Sequence, residues 1–129
     1  MGLAFRPEKA AIDALIKGLK DNDNLVTQQC VRSLMQMGEP ALKAVIDNSK
    51  NIDIMLASEI LSHMAGDVVP SLLVALSTPD KDKRTAVIFA LKDIGDKRAV
   101  EPLRKALKAE KSDSLRMLID DTIKEISAK

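Results

Sequence analysis

Few residues in this chain could do chemistry, and their spacing does not make them converge. His63 is the single histidine and lies four residues after Glu59, a spacing that sets an imidazole and a carboxylate on one face of a helix. One nitrogen ligand and one carboxylate do not close a tetrahedral or octahedral metal site, so a solvent-facing histidine is expected. Cys30 is the single cysteine and has no histidine beside it in sequence to take its proton, which suits a small core hydrophobe better than a nucleophile. One cysteine also excludes an internal disulfide framework and a multi-cysteine zinc site. Asp120 and Asp121 are adjacent, and on a helix adjacent side chains point about 100° apart, away from any shared substrate. Asp80 and Asp82 suit the start of a helix, where backbone N–H groups lack partners. No catalytic residue, metal or cofactor is expected.

The elements that would position any site are read most clearly from Lys83–Glu110. Val87, Ala90, Leu91 and Ile94 follow the i, i+3, i+4, i+7 spacing of one helical face, and Gly95 follows as a C-cap. A second helix carries Ala99, Val100, Leu103, Ala106 and Leu107. The pair recurs. The second-helix pattern overlays at 11–19, 38–46, 68–76 and 99–107, and its corresponding positions Asp13, Pro40, Pro70 and Glu101 step by 27, 30 and 31 residues. The first-helix pattern overlays at 26–38, 53–65, 83–95 and 115–127, with last positions stepping by 27, 30 and 32. Two independent overlays with nearly equal spacing mark an internal repeat.

Helices are therefore predicted near 8–21, 24–37, 40–49, 53–65, 68–78, 82–94, 98–109 and 112–127. Asp23 or Asn24, Asn51 or Asp53, Asp80 or Asp82, and Ser112 or Asp113 are the candidate N-caps. Pro40 and Pro70 fit first helical turns, whereas Pro79 closes the helix before it. Each pair carries an apolar stripe too wide to leave wet, and stacking the pairs into a solenoid buries it. The first and last helices act as caps, Phe5 folds over the first, and Gly18 is that helix's weak point.

Composition agrees. The 129 residues fit one domain spanning 1–129, with no Trp, no Tyr and two Phe, so the core rests on Leu, Ile, Val, Ala and six Met. Met35, Met37, Met55, Met64 and Met117 are expected as core fillers, Met55 the more exposed. Lys and Arg number 20 against 19 Asp and Glu, so no whole-molecule pull towards nucleic acid or an anionic membrane is expected. No segment approaches the roughly 20 apolar residues of a membrane span, and no signal core is visible. Arg6 occupies the place where a myristoylation motif starting at Gly2 would have Ser or Thr. A cytoplasmic monomer is expected.

Ile94-Gly95-Asp96, then Arg98-Ala99-Val100 and Pro102-Leu103, resemble the HEAT-repeat family, in particular the short HEAT-like repeats of phycobilin-lyase subunits. Gly38-Glu39-Pro40-Ala41-Leu42 and Ala65-Gly66-Asp67-Val68-Val69-Pro70 are fainter echoes with shortened turns. The aromatic positions of tetratricopeptide repeats and the Thr-Pro-Leu-His signature of ankyrin repeats are missing. The resemblance implies an all-α, right-handed solenoid of about eight antiparallel helices, with first helices convex and second helices concave. It also implies a protein-binding role. Similar repeats serve bilin lyases, a di-iron hydroxylase and DNA-repair glycosylases, but the hydroxylase's His-Glu pairs do not occur here.

Function would show on the second-helix face. Its outward columns read Asp13, Lys17 and Lys20, then Lys43, Ala44 and Asp47, then Leu73, Val74 and Ser77, and finally Glu101, Arg104, Lys105 and Lys108. Lys17, Lys20, Lys43, Leu73, Val74, Arg104, Lys105 and Lys108 are the candidate partner-binding residues, basic at both ends of an apolar middle. Either Leu73 and Val74 are exposed and receive a peptide or helix of another protein, or Leu73 packs against the next repeat and the lysines are ordinary solvated charge. Nucleic acid is disfavoured by the scarcity of aromatic residues for stacking bases. A bilin-lyase subunit is the alternative drawn from the resemblance.

Overall fold

Short oxygen-bearing side chains start four of the helices. Asp23 Oδ1 accepts from the Leu25 amide at 2.9 Å, Asp53 Oδ1 from Met55 at 2.9 Å, Asp80 Oδ1 from Asp82 and Lys83 at 2.9 and 3.2 Å, and Ser112 Oγ from Leu115 at 3.4 Å. Each satisfies an amide that the helix itself leaves unpaired. The computed structural model describes residues 7–129. Among them nine α-helices follow one another: α1 (Pro7–Gly18), α2 (Asn24–Met37), α3 (Glu39–Asp47), α4 (Ser49–Ile52), α5 (Ile54–Ser62), α6 (Val69–Ala75), α7 (Lys81–Ile94), α8 (Val100–Ala109) and α9 (Asp113–Ser127). Pro40 and Pro70 stand in the first turns of α3 and α6.

The fold is an all-α solenoid. The first helices α2, α5, α7 and α9 stack in a row, and the second helices α1, α3, α6 and α8 lie against them, with α1 on α2 and α8 on α9 closing the ends. Leu34, Ile60, Leu61, Leu72, Ile88, Leu91, Leu103, Ile119 and Ile126 are fully buried along the length of the stack. One continuous core therefore runs through all the repeats, since no single pair can cover its own apolar stripe.

Four expected helices are shorter than the periodicity suggests, the first of them ending at Gly18 rather than near 21. After α3, Asn48 turns its side-chain Nδ2 back to the Ala44 carbonyl at 2.8 Å, ending the helix before the separate turn α4, which the repeat pattern does not contain. Asp53 then takes φ 117°, a value that side-chain-bearing residues rarely adopt, and restarts the chain as α5. The tail of α5 ends when the His63 amide bonds to Ile60, three residues back rather than four. Beyond α6, Ser77 and Thr78 likewise bond three residues back, to Val74 and Ala75, in tight turns that Pro79 terminates.

Packing overturns two further expectations. Gly18 is required rather than merely tolerated, because a Cβ there would collide with the Cys30 Sγ of α2. Met117 is 70% exposed and Met55 56%, so neither fills the core, while Met64 is buried and Met35 and Met37 pack against it. The two exposed methionines occupy corresponding positions of α5 and α9, on the outer side of the first-helix row. The expected contact of Phe5 lies outside the described residues. Cys30 is buried, as its column predicts.

Candidate functional site

Ser62, His63 and Asp93 come closest to a reactive cluster. Ser62 Oγ lies 3.1 Å from His63 Nδ1 and 3.4 Å from Asp93 Oδ2, while Nδ1 is also 3.0 Å from the Glu59 carbonyl oxygen. A nucleophilic triad needs the carboxylate to orient the imidazole, and here it sits beside the serine instead. With its proton on Nδ1 donated to Glu59, the ring cannot accept from Ser62 at that atom. The cluster caps the end of α5 and is solvent-exposed. Among the described residues no three His, Cys, Asp or Glu side chains are grouped to hold a metal ion.

The second-helix face offers a different kind of site. Between α6 and α8 lies a groove of about 600 Å³, floored by Ile88 of α7 and Ile119 of α9 and walled by Leu73, Leu76, Ala106 and Ala109. Leu73 is half-buried and packs against the core, whereas its neighbour Val74 is 76% exposed and lies outside the groove lining. The two alternatives for this pair therefore divide between its members. Lys105 lines the same groove from α8, and Lys111 joins it from the turn after α8.

One end of the groove is closed by Arg84 and Glu110. Arg84 Nε donates to Glu110 Oε1 at 3.0 Å and Nη2 to Oε2 at 3.2 Å, while Nη1 donates to the carbonyls of Thr78 and Pro79 at 3.1 and 2.9 Å. Glu110 is buried, and burial alone would raise its carboxyl pKa. Hydrogen bonds from the Ser112 amide and from Arg84 outweigh that effect and hold the pKa below its ordinary value. Both side chains are thus consumed in holding the turn after α6 to the turn after α8.

The remaining predicted residues are dispersed. Lys43 pairs with Asp47 at 3.3 Å and lines a separate depression between α1 and α3, next to the Lys9–Asp13 pair. Lys17 and Lys20 are exposed near the end of α1 and line neither hollow. Arg104 is engaged by Glu101 on its own helix, and Lys108 is exposed in the last turn of α8. The structure thus brings Leu73 and Lys105 into one groove, whereas Val74 and Lys108 are exposed outside its lining.

Sequence reasoning missed Arg84, Glu110 and Lys111. Arg84 falls on the polar side of α7's stripe, and Glu110 and Lys111 fall in a turn, so periodicity carries no signal for them. Burial of Glu110 arises only when α7 and the turn after α8 meet.

None of the described helices is long and apolar enough to cross a membrane. A family model described as HEAT repeats matches residues 42–120. No curated protein matches the chain.

Proposed function

The chain belongs to the HEAT-repeat family, with the matched residues covering more than half of its length, and on that premise we propose that it is a non-enzymatic interaction module that binds another protein on its second-helix face. The supporting observation is the α6–α8 groove, with its apolar floor and half-buried Leu73, and the exposed Val74 that follows Leu73 on α6. Exposed apolar surface continuous with a preformed hollow is the usual mark of a docking site. The mechanism is surface complementarity on a rigid stack, so little ordering cost falls on this side of the complex. The binding set is Leu73, Val74 and Lys105, bordered by Lys108 and Arg104, with Lys17, Lys20 and Lys43 forming a separate basic margin. A cytoplasmic monomer fits the lone, buried, unbridged Cys30.

The test is affinity capture with the full chain beside a variant carrying Val74→Glu and Ala109→Trp. Both positions are exposed, Ala109 in the groove lining and Val74 next to Leu73 on α6, so the fold should tolerate the changes and its helical melt should match the unaltered chain. A captured protein that is lost with the variant supports the reading. Capture that is indifferent to both substitutions removes the groove from it.

A further inference from the structure

The charges around the α6–α8 groove are one-sided. Its α6 wall is built from Leu73, Leu76, Ser77 and Thr78 and carries no charge, whereas the α8 wall and the turn after it carry Lys105 and Lys111. Lys108, in the last turn of α8, adds a third ammonium group outside the lining. Among the described residues none of these three lysines forms an ion pair. The one carboxylate that lines the groove, Glu110, is occupied by Arg84 and by the Ser112 amide, and Arg84 spends its remaining donors on Thr78 and Pro79. A ligand therefore meets an apolar floor, one neutral wall and one basic wall, with no accessible negative charge in the lining.

We propose that the groove receives an amphipathic helix whose acidic flank lies on the α8 side, its carboxylates facing Lys105 and Lys111. This rests on the reading of the groove as the binding surface. A helix with apolar residues at i, i+3, i+4 and i+7 presents a single ridge, which matches a hollow between two helices. The acidic flank completes the pairing that the lysines lack, and the neutral α6 wall fixes which flank must carry it. A nucleic acid would place phosphates on the lysines but would leave Leu73, Ile88 and Ile119 facing a polar backbone, with no aromatic side chain in the lining on which to stack a base.

The experiment uses the full chain and three fluorescent helical peptides sharing one leucine ridge, flanked on one side by Glu, Gln or Lys, with binding read by anisotropy. The Glu-flanked peptide should bind about tenfold more tightly than the Gln-flanked one at low salt, as two or three exposed ion pairs would give. The Lys-flanked peptide should bind most weakly, and the differences should shrink at roughly 0.5 M salt. Lys105→Glu with Lys111→Glu should reverse the order, and a melt matching the unaltered chain would assign the reversal to charge. Equal affinities for all three peptides, lost together on Val74→Glu with Ala109→Trp, would overturn the acidic flank and leave the groove standing. No peptide binding, or binding that ignores the groove substitutions, would overturn the groove itself, as would lysine-dependent binding of a DNA duplex in place of the peptides.

Discussion

Arg98 grips Asp67 across the boundary between two successive repeats. Its Nη1 donates to Asp67 Oδ2 at 3.0 Å and its Nη2 to Oδ1 at 2.9 Å, a parallel pair of bonds, while Nε and Nη2 also reach Asp96 Oδ2 at 3.1 and 2.8 Å. Asp67 and Asp96 hold the same place in successive turns, each following a glycine. The guanidinium thus fastens its own turn and the preceding one. Hydrogen bonds from Arg98 are the main cause of the lowered carboxyl pKa of both aspartates, and the two aspartates in turn raise that of Arg98.

That clamp predicts an acid-sensitive contribution to stability. Asp67 and Asp96 bind fewer protons when folded than when unfolded, so their contribution is complete above the ordinary carboxyl value of 3.8 and is lost as pH falls through the lowered values. Thermal melts of Arg98→Leu should show a shallower loss of Tm below about pH 4 than the unaltered chain. An identical acid slope would mean that the clamp contributes nothing in solution.

Arg84 and Glu110 should be strongly coupled. Glu110's side chain is 5% exposed and Arg84's 21%, so removing the arginine strands a buried carboxylate. Arg84→Met should cost roughly 2–3 kcal/mol, somewhat under the loss for a fully buried pair. Combining it with Glu110→Gln should cost less than the two single losses added together. Additive losses in urea melts would show that the two groups do not sense each other.

Gly18→Ala should destabilise, even though alanine is the better helix former by about 1 kcal/mol. The new Cβ meets Cys30 Sγ, and Cys30 is buried with little room to move. A net loss of about 1–2 kcal/mol is expected. In a Cys30→Ala background the same substitution should become neutral or favourable. Equal effects in both backgrounds would locate the cost elsewhere.

Ser49 at the start of α4 is fully buried, and among the described residues its Oγ has no hydrogen-bond partner. Ser49→Ala removes the unsatisfied hydroxyl and should stabilise the chain by about 1 kcal/mol. A loss of stability in denaturant melts would mean that the hydroxyl is satisfied, by water or otherwise.

The helices and their repeat were legible because a 3.6-residue period needs only local order along the chain. Val87, Leu91 and Leu103 show it directly, and the overlays extend it to fainter copies. Capping was partly legible for the same reason, since Asp80 and Ser112 act on amides two or three residues away. Irregular joints were not. The short α4 and the positive φ of Asp53 fall where the repeat spacing changes, and no hydrophobic period reports a backbone dihedral.

The candidate site was legible only in outline. The overlay located the second-helix columns, but a column states which residues share a face, not how far adjacent helices stand apart. Leu73 and Val74 are neighbours with the same apolar character, and packing alone half-buries one and exposes the other. An all-α repeat stack and the near-neutral balance of its charges follow from composition and period, which are properties of the chain alone. The tertiary structure decided that α6 and α8 stand apart over Ile88 and Ile119, that Arg84 consumes Glu110, and that Lys105 and Lys111 are left to face the gap. Those relations join residues up to 46 positions apart, from Leu73 to Ile119, and only the spacing of the packed helices sets the distances between them.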